Sequence, residues 1–232
     1  MWRSMVKVMA ATACFGLVHS ALASRGAKRA AARTMGERNR NGLYRVLYIG
    51  QSAVTFGLLA DYIRRQPARD LYRIEGPAAG LMHAIQAGAT IYATSAARQV
   101  GIQRIVGLES LLAWLGEGPV PPEPEAQGPA LDEAAMQRAA GPFAWSRHPL
   151  NFAPLPILWL WPRMTTSLLA FNTAATIYLV VGSIHEEARL REAFGEEYDA
   201  YQKSGIAFYV PVPNRNAHES TNVVVNLENL SR

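Results

Sequence analysis

Cysteine is nearly absent. The single Cys14 among 232 residues excludes an intramolecular disulfide framework and any zinc or iron-sulfur site built from several thiolates. It lies in an apolar run and reads as a small hydrophobe. The histidines (His19, His83, His148, His185 and His218) are scattered with no His-x-x-x-His pair, so no metal site is expected. Charge is scarce too: Asp, Glu, Lys and Arg supply 18% of the chain, against about 25% in an ordinary soluble domain. The scarcity is local. Five intervals hold no charged residue: Val8–Ser24, Val46–Ala60, Gly76–Ala97, Pro149–Pro162 and Met164–Ile184. The formal net charge of +5 sits beside those intervals. That fringe is explained by membrane orientation, and no nucleic-acid partner is expected.

The pattern indicates an all-α, polytopic membrane protein of about five transmembrane helices. The intervals at Gly76–Ala97 and Met164–Ile184 reach the length of about 20 residues that a spanning helix needs. The other three are shorter, and Lys7, Arg45 and Asp61 lie at their edges; the long basic side chains among these can snorkel to the headgroups and extend the span. Mean hydropathy near zero is low for such a protein. Close-packed helices with small residues at their contacts are therefore expected, with Gly88, Ala89, Thr90, Ala93 and Thr94 as one such set. The first interval has two readings. Arg3 and Lys7, an apolar run and Ala21-Leu22-Ala23 before Ser24 make a passable secretory signal. The alternative is a retained helix, favoured by the basic crowd of Arg25, Lys28, Arg29, Arg33, Arg38, Arg40 and Arg45, which the positive-inside rule puts in the cytoplasm. On that orientation the C-terminus is cytoplasmic.

Residues 1–115 hold the N-terminal transmembrane helices and an amphipathic interfacial helix, in which Ile102, Ile105, Val106, Leu108, Leu112 and Leu115 recur mostly every three or four positions. Residues 116–140 form a Pro-rich linker with Pro119, Pro121, Pro122 and Pro124, and residues 212–232 an Asn-rich mobile tail. Residues 141–211 are expected to hold a helical hairpin, because only Arg163, beside Pro162, separates the last two apolar intervals. At 1.5 Å per residue the two arms measure about 21 Å and about 32 Å, so the longer one extends past the shorter into the cytoplasmic interface. Folding back brings Trp145-Ser146-Arg147-His148-Pro149 to the level of His185-Glu186-Glu187. A cation, imidazoles and two carboxylates then gather at one membrane edge. On a continuing cytoplasmic amphipathic helix Glu187, Leu190, Phe194, Tyr198 and Tyr201 share a face, with Gly195 loosening it.

The run Ser146-Arg147-His148-Pro149, Pro162-Arg163-Met164-Thr165, Glu186-Glu187-Ala188-Arg189-Leu190, Phe194-Gly195-Glu196-Glu197-Tyr198, Tyr201 and Pro211 resembles the C-terminal signature of the isoprenylcysteine carboxyl methyltransferase-like superfamily. His19-Ser20, Lys28 and Tyr44-Arg45-Val46-Leu47-Tyr48 are similar to its NnrU-type and methanethiol S-methyltransferase branch. The resemblance implies an integral-membrane enzyme using S-adenosylmethionine without a Rossmann domain, its cofactor pocket lined by Arg147, His148, Pro149, Glu186 and Glu187. One departure stands out: Asn151 and Ala153 occupy positions where that superfamily commonly has Tyr and Gly. Asn151 retains hydrogen-bonding capacity and loses adenine stacking.

The expected roles follow the cofactor's chemistry. Glu187 or Glu186 holds its ammonium, and Arg147 its carboxylate through a bidentate contact. His148 either donates a hydrogen bond to the cofactor or helps deprotonate a thiol. Arg147 and His148 are thus the expected catalytic residues; Pro149, Asn151, Glu186, Glu187 and Tyr198 join them in cofactor binding. Trp145, Phe152 and Tyr198 are candidate walls, and His19 and His83 are expected to turn inward to polar partners. The acceptor is a small thiol or a lipid-like molecule, with membrane lipids as surroundings. Two rival readings are a non-catalytic NnrU-type protein supporting respiration or denitrification, and a membrane reductase using a nicotinamide cofactor.

Overall fold

A computed structural model describes residues 1–116, 118–122 and 141–213. The chain is mostly helical, and three helices are long and apolar enough to cross a membrane: α1 (Trp2–Ala23), α3 (Glu37–Arg65) and α9 (Thr166–Phe194). The short α2 (Arg25–Met35) joins α1 to α3. Ser24 caps it, its hydroxyl accepting from the Ala27 N–H at 3.2 Å. Gly36, at φ 83°, makes the turn into α3.

These helices are assembled by one small-residue stripe and a set of polar bridges. Ser4, Val8, Thr12 and Gly16, all buried, fall every fourth residue on α1. A Cβ built on Gly16 would lie 2.7 Å from the Tyr178 ring, so only glycine lets α9 approach there. Ser20 and Tyr178 hydroxyls meet at 3.1 Å, and Arg25 pairs with Glu192 at 2.7 Å, so α1 and α9 run parallel. α3 runs antiparallel to α1. Tyr44 donates to the Leu22 carbonyl at 2.7 Å, and His19 meets the Ser52 hydroxyl at 2.9 Å and that of Tyr48 at 2.5 Å. Of the small set on α4 (Pro77–Val100), only Ala89 and Ala93 are half-buried, on the buried face of Gln86, Ala96 and Val100. Gly88, Thr90 and Thr94 are exposed.

The expected fourth span, Pro149–Pro162, is broken. It forms α7 (Pro149–Phe152) and α8 (Pro154–Trp159), because Pro154 and Pro156 lack the N–H that a continuing helix requires. Side chains of neighbouring helices satisfy the carbonyls left over at the end of α8: Gln86 of α4 donates to Ile157 O at 2.9 Å, and Asn172 of α9 to Leu158 O at 2.7 Å. α4 is long but is not among the three apolar candidates. It lies against α7 and α8, with Gln86 opposite Ile157 and Tyr92 stacked on Trp145.

Two further differences have simple causes. The chain at Arg163 is a strand rather than a bare hinge: β2 (Arg163–Thr165) pairs antiparallel with β1 (Asp70–Arg73), Tyr72 opposite Met164, and Arg163 donates to Asp70 at 2.9 Å. The interfacial helix is cut by glycines, Gly101 at φ 95° and Gly107 at φ 79°, into α5 (Ile102–Val106) and α6 (Leu108–Leu115). This pair keeps an exposed apolar face of Ile102, Val106, Leu108, Leu112 and Leu115, while Trp114 packs directly on Gly42 of α3. Most of the Pro-rich linker and nearly all of the Asn-rich tail lie outside the described residues.

Candidate functional site

α9 is the frame of the site. Its 29 residues rise about 43 Å at 1.5 Å each, more than the roughly 30 Å of a hydrocarbon core. Its final turns, with Glu186 and Glu187, therefore extend past the apolar level. α9 starts at Thr165, whose hydroxyl accepts from the Leu168 N–H at 3.1 Å, and stops at Gly195, φ 52°. There α10 (Glu196–Lys203) turns back, so the expected continuous face is split between two helices. Its apolar members still meet: Leu190 and Tyr198 are buried together, with Phe194 and Tyr201 against them.

Opposite Glu186 and Glu187 lies the Ser146–Asn151 turn. Arg147 Nε donates to Glu187 Oε1 at 2.7 Å, and Arg147 Nη1 to the Ile206 carbonyl at 2.7 Å. His148, whose side chain is 1% exposed, holds Nδ1 at 3.3 Å from Glu186 Oε2. Its Nε2 lies 3.4 Å from Glu187 Oε1 and makes no hydrogen bond among the described residues. Asn151 Nδ2 donates to the Ser183 hydroxyl at 2.9 Å and reaches Glu186 Oε2 at 3.3 Å. Pro149 is buried and opens α7, its ring pre-set for a first helical position.

The carboxylates differ in commitment. Glu187 is bound on both oxygens, to Arg147 and, at 2.9 Å, to Gln202 of α10. Among the described residues Glu186 has two contacts, both at 3.3 Å, and it is the more exposed, 23% against 16%. Tyr198 is buried beside Glu187; burial first, then the carboxylate's negative charge, pushes its phenol far above the ordinary range. The structure thus brings Arg147, His148, Asn151, Glu186, Glu187 and Tyr198 together. His185 does not join them, being exposed and making no hydrogen bond to either glutamate.

Sequence reasoning overlooked the strap over the turn, the run Ile206–Val212. Ser146 bridges to Ala207 in parallel register, and the Arg147 N–H donates to Ala207 O at 2.9 Å. The Val212 N–H donates to Trp145 O at 3.0 Å, and the Ser146 hydroxyl to Tyr209 O at 2.8 Å. Phe208 packs edge-on to His148 at 5.1 Å, with the Arg147 guanidinium 5.6 Å over its ring. Tyr209 donates to Asn151 O at 2.8 Å, and Phe152 meets its ring edge-on. The signal was the β-prone run Ile206-Ala207-Phe208-Tyr209-Val210 before Pro211. Ser183 and Gln202 carried no signal of their own.

Other candidates have structural partners. Trp145 stacks on Tyr92. His83 meets Gln86 at 2.8 Å, and the Asn172 amide caps α8. Among the described residues no group of three metal-ligating side chains converges.

No family model and no solved structure matches the chain. Two curated proteins do. Methanethiol S-methyltransferase of Pseudomonas deceptionensis is 40% identical over 70 residues, 30% of this chain and 26% of the relative. Methanethiol S-methyltransferase 1 of Bradyrhizobium diazoefficiens is 35% identical over 81 residues, 34% of this chain and 28% of that relative. The match thus spans little more than a quarter of either relative's length. Over that stretch the chain is a homologue of methanethiol S-methyltransferases; the described residues as a whole hold three helices able to cross a membrane.

Proposed function

We propose that the protein is an integral-membrane methyltransferase that uses S-adenosylmethionine to methylate a small thiol, with a lipid-like molecule as the second choice of acceptor. The reading has α4 and α7–α8 crossing the bilayer against α1, α3 and α9, five crossings in all, with the site and the C-terminus at the cytoplasmic face. One observation carries it: Arg147, His148, Asn151, Glu186 and Glu187, from two separate segments, lie within about 3.4 Å of one another in a chain of contacts toward the C-terminal end of α9, one of the three helices apolar enough to cross a membrane.

The residues fit the cofactor. Its ammonium needs an under-committed carboxylate and its carboxylate a fixed cation. Glu186 supplies the first. Arg147 supplies the second, clamped by Glu187, the Ile206 carbonyl and the Phe208 ring, with Nη2 left to donate. Of the two glutamates, Glu186 is therefore the ligand contact and Glu187 the support for Arg147. Bound there, S-adenosylmethionine supplies a methyl group already activated by its sulfonium, so no metal is required. The chain's task is alignment, holding acceptor and methyl carbon about 3 to 3.5 Å apart and in line. If the acceptor is a thiol, this reading assigns its proton to His148 Nε2, which makes no hydrogen bond among the described residues and lies 3.4 Å from Glu187 Oε1, in the tautomer whose Nδ1–H points to Glu186.

The test incubates membranes containing the full chain with methyl-labelled S-adenosylmethionine and a panel of thiols, prenylcysteines and lipids. Label transferred to one class identifies the acceptor. Calorimetry on the purified chain then separates the rivals: binding of neither cofactor favours a non-catalytic protein, and binding of a nicotinamide cofactor alone favours a reductase.

A further inference from the structure

The basic helix α2 takes no part in the site. Its cations Arg25, Lys28, Arg29 and Arg33 fall within one arc of roughly 140° at 100° per residue, and the opposite face is Gly26, Ala27, Ala30, Ala31 and Thr34. α2 contains no acidic residue. Among the described residues, two acids close to α2 are already engaged: Glu37 pairs with Arg40 at 2.7 Å and Glu192 with Arg25 at 2.7 Å. Arg29 and Arg33 are exposed and form no ion pair among the described residues. Position is the second observation. α2 is joined through the single residues Ser24 and Gly36 to α1 and α3, two antiparallel helices able to cross the membrane. Its 11 residues therefore lie at the height where headgroups are.

We propose that the basic face of α2 is a binding surface for anionic phospholipid headgroups, with Arg29 and Arg33 as its contacts. An arginine fork matches a phosphodiester in geometry as well as charge. A cation held near an anionic leaflet adds about 1 kcal/mol, or about fivefold in association, at low salt. This surface is independent of the methyltransferase reading, since neither arginine lies in the site.

The test reconstitutes the full chain in phosphatidylcholine bilayers. It compares, by electron paramagnetic resonance, the immobilised fractions of spin-labelled phosphatidylglycerol and phosphatidylcholine. The wild type is expected to prefer phosphatidylglycerol by at least about fivefold at low salt, and the preference to fall as salt rises. Arg29→Gln/Arg33→Gln is expected to bring the ratio near one. Both side chains are exposed, so the fold is expected to survive, and circular dichroism checks this. Arg64→Gln/Arg65→Gln, at the far end of α3 where both pair with Asp61, controls for net charge. A wild-type ratio near one, a ratio unchanged in Arg29→Gln/Arg33→Gln, or an equal fall in the control overturns the proposal. Inorganic phosphate abolishing the preference no more than chloride at equal ionic strength supports a lipid occupant; selective displacement by phosphate overturns it in favour of a free anion.

Discussion

Glu186 and Glu187 are adjacent in the chain and 100° apart on α9, and their surroundings differ accordingly. Glu187→Gln removes the charge that balances the Arg147 guanidinium, 13% exposed, while keeping the shape. Unfolding in detergent is expected to show a loss of about 1–3 kcal/mol, the cost of a buried cation left short of its partner. Glu186→Gln disturbs only two long contacts. It is expected to change stability by less than about 0.5 kcal/mol and to weaken S-adenosylmethionine binding by at least about tenfold, the worth of one charge-assisted contact. Equal effects of the two variants on binding and stability would contradict the division of labour. Tyrosine ionisation tests the burial of the same region. Burial pushes Tyr209 up to about 12 and holds Tyr201 and Tyr198 higher still. With folded values above the unfolded value near 10, the neutral phenols favour the native state below pH 10 and lose that contribution as pH rises through the folded values. Absorbance titration at about pH 11 is expected to leave these three protonated in the native protein and ionised after unfolding; full native ionisation would show the region to be open.

At the scale of elements, the strap Ile206–Val212 does what no helix does: it fixes the Arg147–His148 turn from its outer side. Phe208→Ala removes the ring beneath the guanidinium and beside the imidazole. The expected result is about 1–2 kcal/mol of lost stability from cation–π and aromatic packing. A weakened cofactor affinity should be largely restored in Phe208→Tyr and not in Phe208→Leu; rescue by leucine would mean that bulk alone matters. Elements were legible as helices where charge was missing, although the longest gap, Gly76–Ala97, belongs to α4, which is not among the three helices apolar enough to cross a membrane. α1, α3 and α9 lie within or around the charge-free intervals, and Arg147 and the two glutamates were marked by their flanking positions. What the sequence concealed were short elements whose stability is tertiary. The carbonyls at the end of α8 are satisfied by Gln86 and Asn172, from two other helices. The β1–β2 pair joins residues as far apart in the chain as Asp70 and Thr165, and the strap reads locally as the start of a tail. None of these has a local period to announce it.

At the scale of the molecule, polar groups separate to two ends of an apolar body. One end holds β1 and β2 with Arg64, Arg65 and Arg163, which pair with Asp61 or Asp70. The other holds α2, the start of α3, the end of α9 and the site, joined by Arg25–Glu192. Lysine and arginine are denser at this second end, where Arg25, Lys28, Arg29, Arg33, Arg38, Arg40, Arg147, Arg189 and Arg191 gather, and the positive-inside rule counts those residues rather than net charge. The site end is thus expected to be cytoplasmic, within reach of a water-soluble cofactor. The lone Cys14 makes this testable, because Cys14→Ser gives a thiol-free background. Single cysteines at the exposed positions Ala30, Lys203 and Ala68 then mark α2, α10 and the opposite end. In sealed right-side-out vesicles an impermeant maleimide is expected to label Ala68→Cys alone. In inverted vesicles it should label Ala30→Cys and Lys203→Cys and spare Ala68→Cys. Labelling of Ala30→Cys and Lys203→Cys from different sides would separate α2 from the site by a membrane. The Arg25–Glu192 pair could not then exist, and the arrangement that gathers Arg147 with Glu186 would fall with it.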